Sequence, residues 1–254
     1  MSSKSLVERG FAHYFPEVDL SRPEIDVLKN EFRFLEPDPY ASGGLGRFRR
    51  YGRGMIAHWL SDYDMLIWFP PMRNGGFEFS MYDQGNNNLE HAHPRFFRSI
   101  SQRARQSDAL RRLIVNDFRL SSIKVDNSSD PIHFGVHFVK LLARLGDDDG
   151  VSSPNCFHQD GEPFTFVHLI YRSPGAVGGI NFVANPSACG RQPDGLAPDE
   201  LLGSFCLEQF LESFAVCDAK VSHYVSPLSA RSLEESVAER DVILVDFSLM
   251  RNVV

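Results

Sequence analysis

Cysteine is sparse in this chain of 254 residues: Cys156, Cys189, Cys206 and Cys217 stand at spacings that match neither a zinc knuckle nor a CxxC redox pair. A disulfide scaffold and a thiolate zinc site are therefore excluded, and the four are read as reduced thiols. Basic excess is missing too, because 26 Lys and Arg face 33 Asp and Glu for a net charge of −7. General affinity for nucleic acid or anionic lipid needs a basic surface, so neither is an expected partner. The longest apolar runs, such as "MLIWF" at 65–69, fall far short of the roughly 20 residues that span a bilayer. The opening "MSSKSLVERGF" lacks the apolar core of a signal peptide, so a cytoplasmic location is expected. With no internal repeat, low-complexity tract or long linker, residues 1–254 are read as one domain.

What is present is enough apolar material for a core, at 43% of residues. Ser21, Pro23 and Glu24 look like a capping box with proline in the first turn, and Ile25, Leu28, Phe32 and Leu35 follow at helical spacing. A helix over about 22–35 is expected, and a second helical region over 94–118, with Phe97, Ile100, Ala104, Leu110, Leu113 and Ile114 as its buried positions. After Ser121 the texture changes. "DPIHFGVHFVKLLAR", "PFTFVHLIYR", "GGINFVA", "SFAVCDAKVSHYVSPL" and "RDVILVDFS" are short, rich in β-branched and aromatic residues, and separated by turn formers. That spacing predicts a β sandwich or barrel and not βαβ units. The expected layout is a helical N-terminal part over about 1–120 and a β core over about 121–254. An insertion at about 185–211 interrupts the core, and its "PDELLGSFCLEQFLESF" end reads as a helix.

Chemistry concentrates in "FHQDGEPFTFVHLIYR" at 157–172, where His158 and Asp160 stand two apart. In an extended segment residues i and i+2 share a side, so the imidazole and the carboxylate are able to converge on one ion. Two ligands make a weak site. His223, in "VSHYVSPL", is the candidate third, since a rolled β sandwich brings distant strands face to face. Two imidazoles and one carboxylate on one face of an octahedral ion leave three positions free, the pattern of non-haem Fe(II) oxygenases. If the co-substrate is 2-oxoglutarate, its far carboxylate needs a cation, because burying that anion unpaired costs several kcal/mol, roughly. Arg240 opens a strand-like run and suits a bidentate grip; Arg231 is the competitor, in a polar loop.

The combination "FHQDGEPFTFVHLIYRSPGAVGGINFVA", "VSHYVSPLSA" and "AERDVILVDFS" resembles the bacterial 2-oxoglutarate-Fe(II) dioxygenases that include L-isoleucine dioxygenase and related amino-acid hydroxylases. Upstream, "EPDPYASGGLGRFRRYGR" is similar to that family's arginine-rich segment, and "IHFGVHFVKLLAR" to its strand with a histidine and a basic residue, here His137 and Lys140. The resemblance implies a mainly β protein with added helices around a double-stranded β-helix (jelly-roll, cupin-like) core. It implies Fe(II) on His158, Asp160 and His223, with 2-oxoglutarate anchored by Arg240, and O2 as oxidant; ascorbate would be expected to help in vitro. The activity implied is hydroxylation of an unactivated C–H bond in a small L-amino acid or an amino-acid-derived metabolite. Related halogenases replace the carboxylate ligand with a small residue, so Asp160 favours hydroxylation. An oxygen-independent, cupin-like metal isomerase or lyase is the alternative from another class, and a halogenase- or desaturase-type outcome is the alternative on the same iron site.

For the substrate, the resemblance points to Arg47, Arg49 and Arg53, with His137 and Phe157 as further contacts. Three departures stand out: an insertion longer than in the isoleucine enzyme and expected to cover the mouth of the site, Gly161 where a second acid follows the aspartate, and Lys140 where arginine is usual. Several other features have plainer readings. His168 is read as a buried, hydrogen-bonded strand histidine, "HAH" at 91–93 as a solvated loop, and Trp59 and Trp68 as core. Gly43, Gly44 and Gly46 lack the spacing of a phosphate loop.

Overall fold

The computed structural model describes residues 3–41, 46–83, 94–123, 130–152, 154–231 and 235–250. "HAH" at 91–93, Gly43 and Gly44 lie outside the described residues. The described α-helices are α1 (Ser3–Arg9), α2 (Arg22–Glu31), α3 (Gln102–Arg105) and α4 (Asp108–Ser121). The strands in chain order are β1 (Phe11–Tyr14), β2 (Arg47–Ile56), β3 (Leu66–Trp68), β4 (Met72–Asn74), β5 (Phe77–Tyr82), β6 (Arg95–Arg98), β7 (Ile132–Arg144) and β8 (Phe164–Arg172). They continue with β9 (Ala176–Gly178), β10 (Ile180–Ala184), β11 (Leu201–Cys206), β12 (Ser213–Cys217), β13 (Ser222–Val225), β14 (Leu228–Ala230) and β15 (Val237–Leu249).

The helices form where caps and apolar spacing agree. Ser21 N–H donates to Glu24 Oε2 at 2.8 Å at the start of α2, and a 3-10 turn at Phe32–Phe34 carries the helix through the expected range. Ser107 Oγ accepts from Leu110 N–H at 3.3 Å and starts α4. All four helices fall within the first half, as expected, but strands are interleaved with them. The helix expected from residue 94 begins instead as β6, where Arg95 and Phe97 are buried and Phe96 is exposed. This period-2 alternation pairs with β5, and Ser101 then caps α3. Phe97, Ile100, Ala104, Leu110, Leu113 and Ile114 are all buried.

One seven-stranded antiparallel sheet, ordered β1-β12-β8-β15-β7-β2-β3, spans the molecule. One face packs on the helices through Phe134, Phe138, Phe166, Ile243, Val245 and Phe247. The other face meets the smaller sheets β11-β10-β13 and β14-β9 through Val167, Phe214, Val216, Val242 and their neighbours. This mainly β, jelly-roll arrangement is the expected double-stranded β-helix core. With both faces covered, β8 reads as a nearly unbroken apolar run.

The helix expected over 198–214 does not form. Residues 201–206 are β11, paired with β10, and residues 213–217 are β12, paired with β1 and β8. Between them Glu212 Oε2 accepts from Glu208 and Gln209 N–H at 2.7 and 2.9 Å, so that carboxylate shapes a turn. Strand pairing on both sides outweighs the local helical spacing. Trp59, expected in the core, is half exposed. Gly178 and Gly179 form the expected turn before β10, both at positive φ; a Cβ on Gly178 would fall 1.9 Å from the Pro227 carbonyl oxygen. Among the described residues no helix is long and apolar enough to cross a membrane.

Candidate metal centre and its cavity

His158 and His223 meet across an isolated antiparallel bridge, with His158 N–H to His223 O at 3.0 Å and the reverse bond at 2.9 Å. That pairing brings together residues far apart in sequence. His158 Nε2 lies 3.4 Å from one oxygen of Asp160, and His223 Nε2 lies 3.5 Å from the other. One ligand atom from each of the three falls within 4.8 Å of the rest. Ligand bonds of about 2.0–2.2 Å at right angles leave neighbouring donors roughly 3 Å apart, so the three side chains fit a single ion.

The surroundings prepare these donors. His158 Nδ1–H donates to the Cys156 carbonyl at 2.9 Å, which leaves the Nε2 lone pair for the metal. Burial pushes His223 down to about 4 against the pull of Asp160, so its ring is neutral at ordinary pH. Burial would raise the Asp160 carboxyl, but His223, His158 and the Thr165 hydroxyl, 3.0 Å away, hold it well below the usual range. Asp218 secures the loop, accepting Asp160 and Gly161 N–H at 2.8 Å each. Gly161 sits at φ +84, a conformation in which a side chain is strained, so glycine suits this position. Burial and the nearby Asp160 charge raise Asp218 to about 6.

The three residues open into a cavity of about 130 Å³ on the inner face of the large sheet. Arg240 lies on its wall, 3% exposed, with Nη2–H on Asn181 Oδ1 at 3.4 Å and Nε without a partner. Burial, reinforced by Arg172, lowers it to about 10. Such a buried, under-satisfied guanidinium suits a carboxylate ligand. Arg231 is exposed and off the cavity wall.

Of the arginine-rich segment, Arg47 and Arg49 line the cavity and Arg53 does not; Arg53 lies over the Phe69 ring at 5.8 Å. Arg47 is held by Asp38 at 2.7 Å. Arg49 stacks over Phe97 at 4.5 Å and donates to His137 Nδ1 from Nε and Nη2 at 3.1 and 2.7 Å. This fixes the His137 proton on Nε2, which faces Asp246 Oδ2 at 3.3 Å. Tyr51 stacks on the same ring at 4.3 Å. Phe157 is fully buried against Tyr224 and faces away from the cavity, because its neighbour His158 takes the inward side. Lys140, three residues after His137, points to the other side of β7, where it pairs with Glu239 at 2.8 Å. His168 has the structural role expected, bonded at 2.8 Å to both Asp117 and Ser213.

Sequence reasoning missed Arg95, Tyr82, Glu162 and Asp246, all on the cavity wall. The alternation of β15 carried a usable signal, because Arg240, Val242, Leu244 and Asp246 share one face. Arg95 was hidden by the helical reading of its segment. The insertion does not supply the cavity wall. Among the described residues none of 185–211 lines the cavity, and the segment instead bonds Phe157 from behind, Gly190 N–H to Phe157 O at 2.8 Å and Phe157 N–H to Arg191 O at 2.9 Å.

Residues 29–246 match the family described as 2OG-Fe dioxygenase. An L-isoleucine-4-hydroxylase of Bacillus thuringiensis is 28% identical over 246 residues, 94% of this chain and 91% of that protein. A 3(1)-hydroxy-L-isoleucine 4-dioxygenase of Pantoea ananatis (strain AJ13355) is 33% identical over 118 residues, 46% of this chain and 42% of that protein. In structure the chain resembles IDO from Bacillus thuringiensis, with a TM-score of 0.69 at 22% identity and 98% coverage of both chains. A BsmA homologue from Methylobium petroleophilum PM1 gives a TM-score of 0.73 at 21% identity, covering 98% of this chain and 92% of that one.

Proposed function

The chain belongs to the 2OG-Fe dioxygenase family, and from that premise we propose that it hydroxylates an unactivated C–H bond of a small aliphatic L-amino acid. Membership makes it an Fe(II)- and 2-oxoglutarate-dependent oxygenase, which sets aside the oxygen-independent isomerase or lyase. The observation that carries the reading is the pairing, in one cavity, of the three donors with arginines at two separate positions, Arg240 on one side and Arg47, Arg49 and Arg95 on another. One cation site serves the cosubstrate carboxylate and the other serves a substrate carboxylate.

In this reading His158, Asp160 and His223 hold the iron and Arg240 takes the far carboxylate of 2-oxoglutarate. Bound together, iron and 2-oxoglutarate would supply the electrons that activate O2 for attack on a C–H bond. The chain binds, orients and keeps water out. Val139, Val167, Phe214, Val242 and Leu244 form the apolar wall against which an aliphatic side chain packs. Arg49, braced by His137 and stacked on Phe97, fixes the substrate's carboxylate, so the side chain points at one place. Asp160 fills the ligand position that a halide would need, which supports hydroxylation over halogenation. The two isoleucine enzymes among the relatives support an aliphatic amino acid.

The test is succinate formation by protein reconstituted anaerobically with Fe(II), then given O2 and 2-oxoglutarate with a panel of free L-amino acids and a no-substrate control. Succinate above the control for an aliphatic member, with a product heavier by one oxygen, is the expected result. Succinate equal to the control across the panel would overturn the substrate class.

A further inference from the structure

The proposed function leaves one group of the substrate without a partner. A free amino acid carries an ammonium as well as a carboxylate, and a buried cation needs an anion. The cavity wall supplies two acids that the iron centre does not use, Glu162 and Asp246. Asp246 is 4% exposed, and its Oδ1 has no hydrogen-bond partner. Among the described residues, no lysine or arginine forms an ion pair with either acid. The sheet is shaped around this carboxylate: Gly135 stands opposite Asp246 in the β7–β15 register, and a Cβ there would lie 2.5 Å from Asp246 Oδ2.

Resting on the amino-acid hydroxylase reading, we propose that Glu162 and Asp246 seat the substrate's α-ammonium, and with Arg49 form a two-ended clamp selective for free α-amino acids. His137 sets the span. Arg49 Nη2 lies 2.7 Å from its Nδ1 and 3.4 Å from its Nε2, and Nε2 lies 3.3 Å from Asp246 Oδ2. Guanidinium and carboxylate therefore stand less than 7 Å apart through Nε2, within the reach of an α-amino acid hydrogen-bonded near 2.9 Å at both ends. The imidazole is thus a spacer of the same order as the zwitterion it lies beside. Asp246 also faces Thr165 across the β15–β8 register, and the Thr165 hydroxyl bonds Asp160, so the ammonium seat adjoins the metal ligands. A clamp of this kind rejects a 2-hydroxy acid, an N-acyl amino acid and a carrier-bound thioester, each of which lacks one charged end.

The experiment compares the best amino acid of the panel with the 2-hydroxy acid bearing the same side chain, as kcat/KM for succinate formation in excess of the no-substrate control. Wild type is expected to favour the amino acid by more than about 100-fold, in keeping with sites whose buried polar groups are left unpaired by the wrong ligand. Glu162→Gln and Asp246→Asn are each expected to cut that ratio at least tenfold, through KM of the amino acid more than through kcat. A purely structural fault lowers both substrates together and leaves the ratio alone. Anaerobic calorimetry with L-isoleucine and its 2-hydroxy analogue on the Fe(II)- and 2-oxoglutarate-loaded protein gives the same ratio as affinities. If Asp246→Asn does not fold, Glu162→Gln alone decides. An unchanged ratio in the folded variants, with amino acids still turned over, would overturn the ammonium seat and spare the hydroxylase reading. No response to any amino acid would overturn both.

Discussion

Replacing Arg240 with methionine separates the cost of a buried charge from its use. Among the described residues the guanidinium has one hydrogen bond, to Asn181 Oδ1 at 3.4 Å, and Nε has none. Burial and Arg172 lower it from 12.5 to about 10, which at about 1.4 kcal/mol per pKa unit corresponds to roughly 3 kcal/mol of unfavourable charge burial. Methionine fills most of the same space and removes that cost, while the residual gap costs about 1 kcal/mol. The protein without cosubstrate is therefore expected to be as stable as wild type or about 2 kcal/mol more stable. In the proposed assignment the same change also removes the partner of the 2-oxoglutarate carboxylate. Losing one side of a buried charge pair costs about 2–5 kcal/mol, so affinity should fall by about 30-fold to several thousand-fold. Anaerobic calorimetry of 2-oxoglutarate binding to the Fe(II) protein measures the second quantity, and thermal melts without cosubstrate measure the first. The reasoning fails if affinity stays within threefold of wild type, or if Arg231→Ala produces the same loss. It also fails if Arg240→Met alone markedly lowers the melting temperature, since the guanidinium would then be holding the fold together.

Asp160→Ala removes the one anionic donor of the centre, and Fe(II) binding measured by anaerobic titration should weaken by at least about 100-fold; unchanged affinity would refute the assignment. Asp117→Ala strands the buried His168 ring and should cost about 3–5 kcal/mol in urea unfolding with little change in the denaturant slope. A loss below about 1 kcal/mol would show that the pair contributes little. Asp241 is raised to about 8, first by burial and against the pull of Lys140. A carboxyl raised in the folded state binds more protons there than in the unfolded chain, so its contribution to stability declines as pH rises from about 4 to about 8. Asp241→Asn should remove that decline from a melting-temperature profile, and a profile parallel to wild type would contradict the shift.

Much of the candidate metal centre was legible in the sequence because its signal is local. His158 and Asp160 share a side through strand periodicity alone, Arg240 announces itself as a charge opening an apolar run, and His168 reads as a satisfied core histidine. The β texture after Ser121 likewise follows from residue types with little need for tertiary information. The misreadings share a cause. Residues 198–214 and 94–98 carry spacing compatible with a helix, and hydrogen bonds to β10, β8 or β5 decide the matter, which no local pattern can report. Phe157 and Lys140 follow the same rule at the scale of one residue, since adjacent or oddly spaced positions on a strand face opposite sides.

The sequence by itself determined the chemical inventory: three candidate metal donors, an arginine proposed as the anchor and a β scaffold to carry them. Only the tertiary structure decided which charges share the cavity. It admits Arg49 and Arg95, turns Arg53 aside, and puts Glu162 and Asp246 on the same wall, with His137 in contact with both Arg49 and Asp246. The physical reason is that coordination geometry is encoded in short-range spacing, whereas a binding wall is assembled from five or more strands whose neighbours are chosen by pairing and packing across the whole chain.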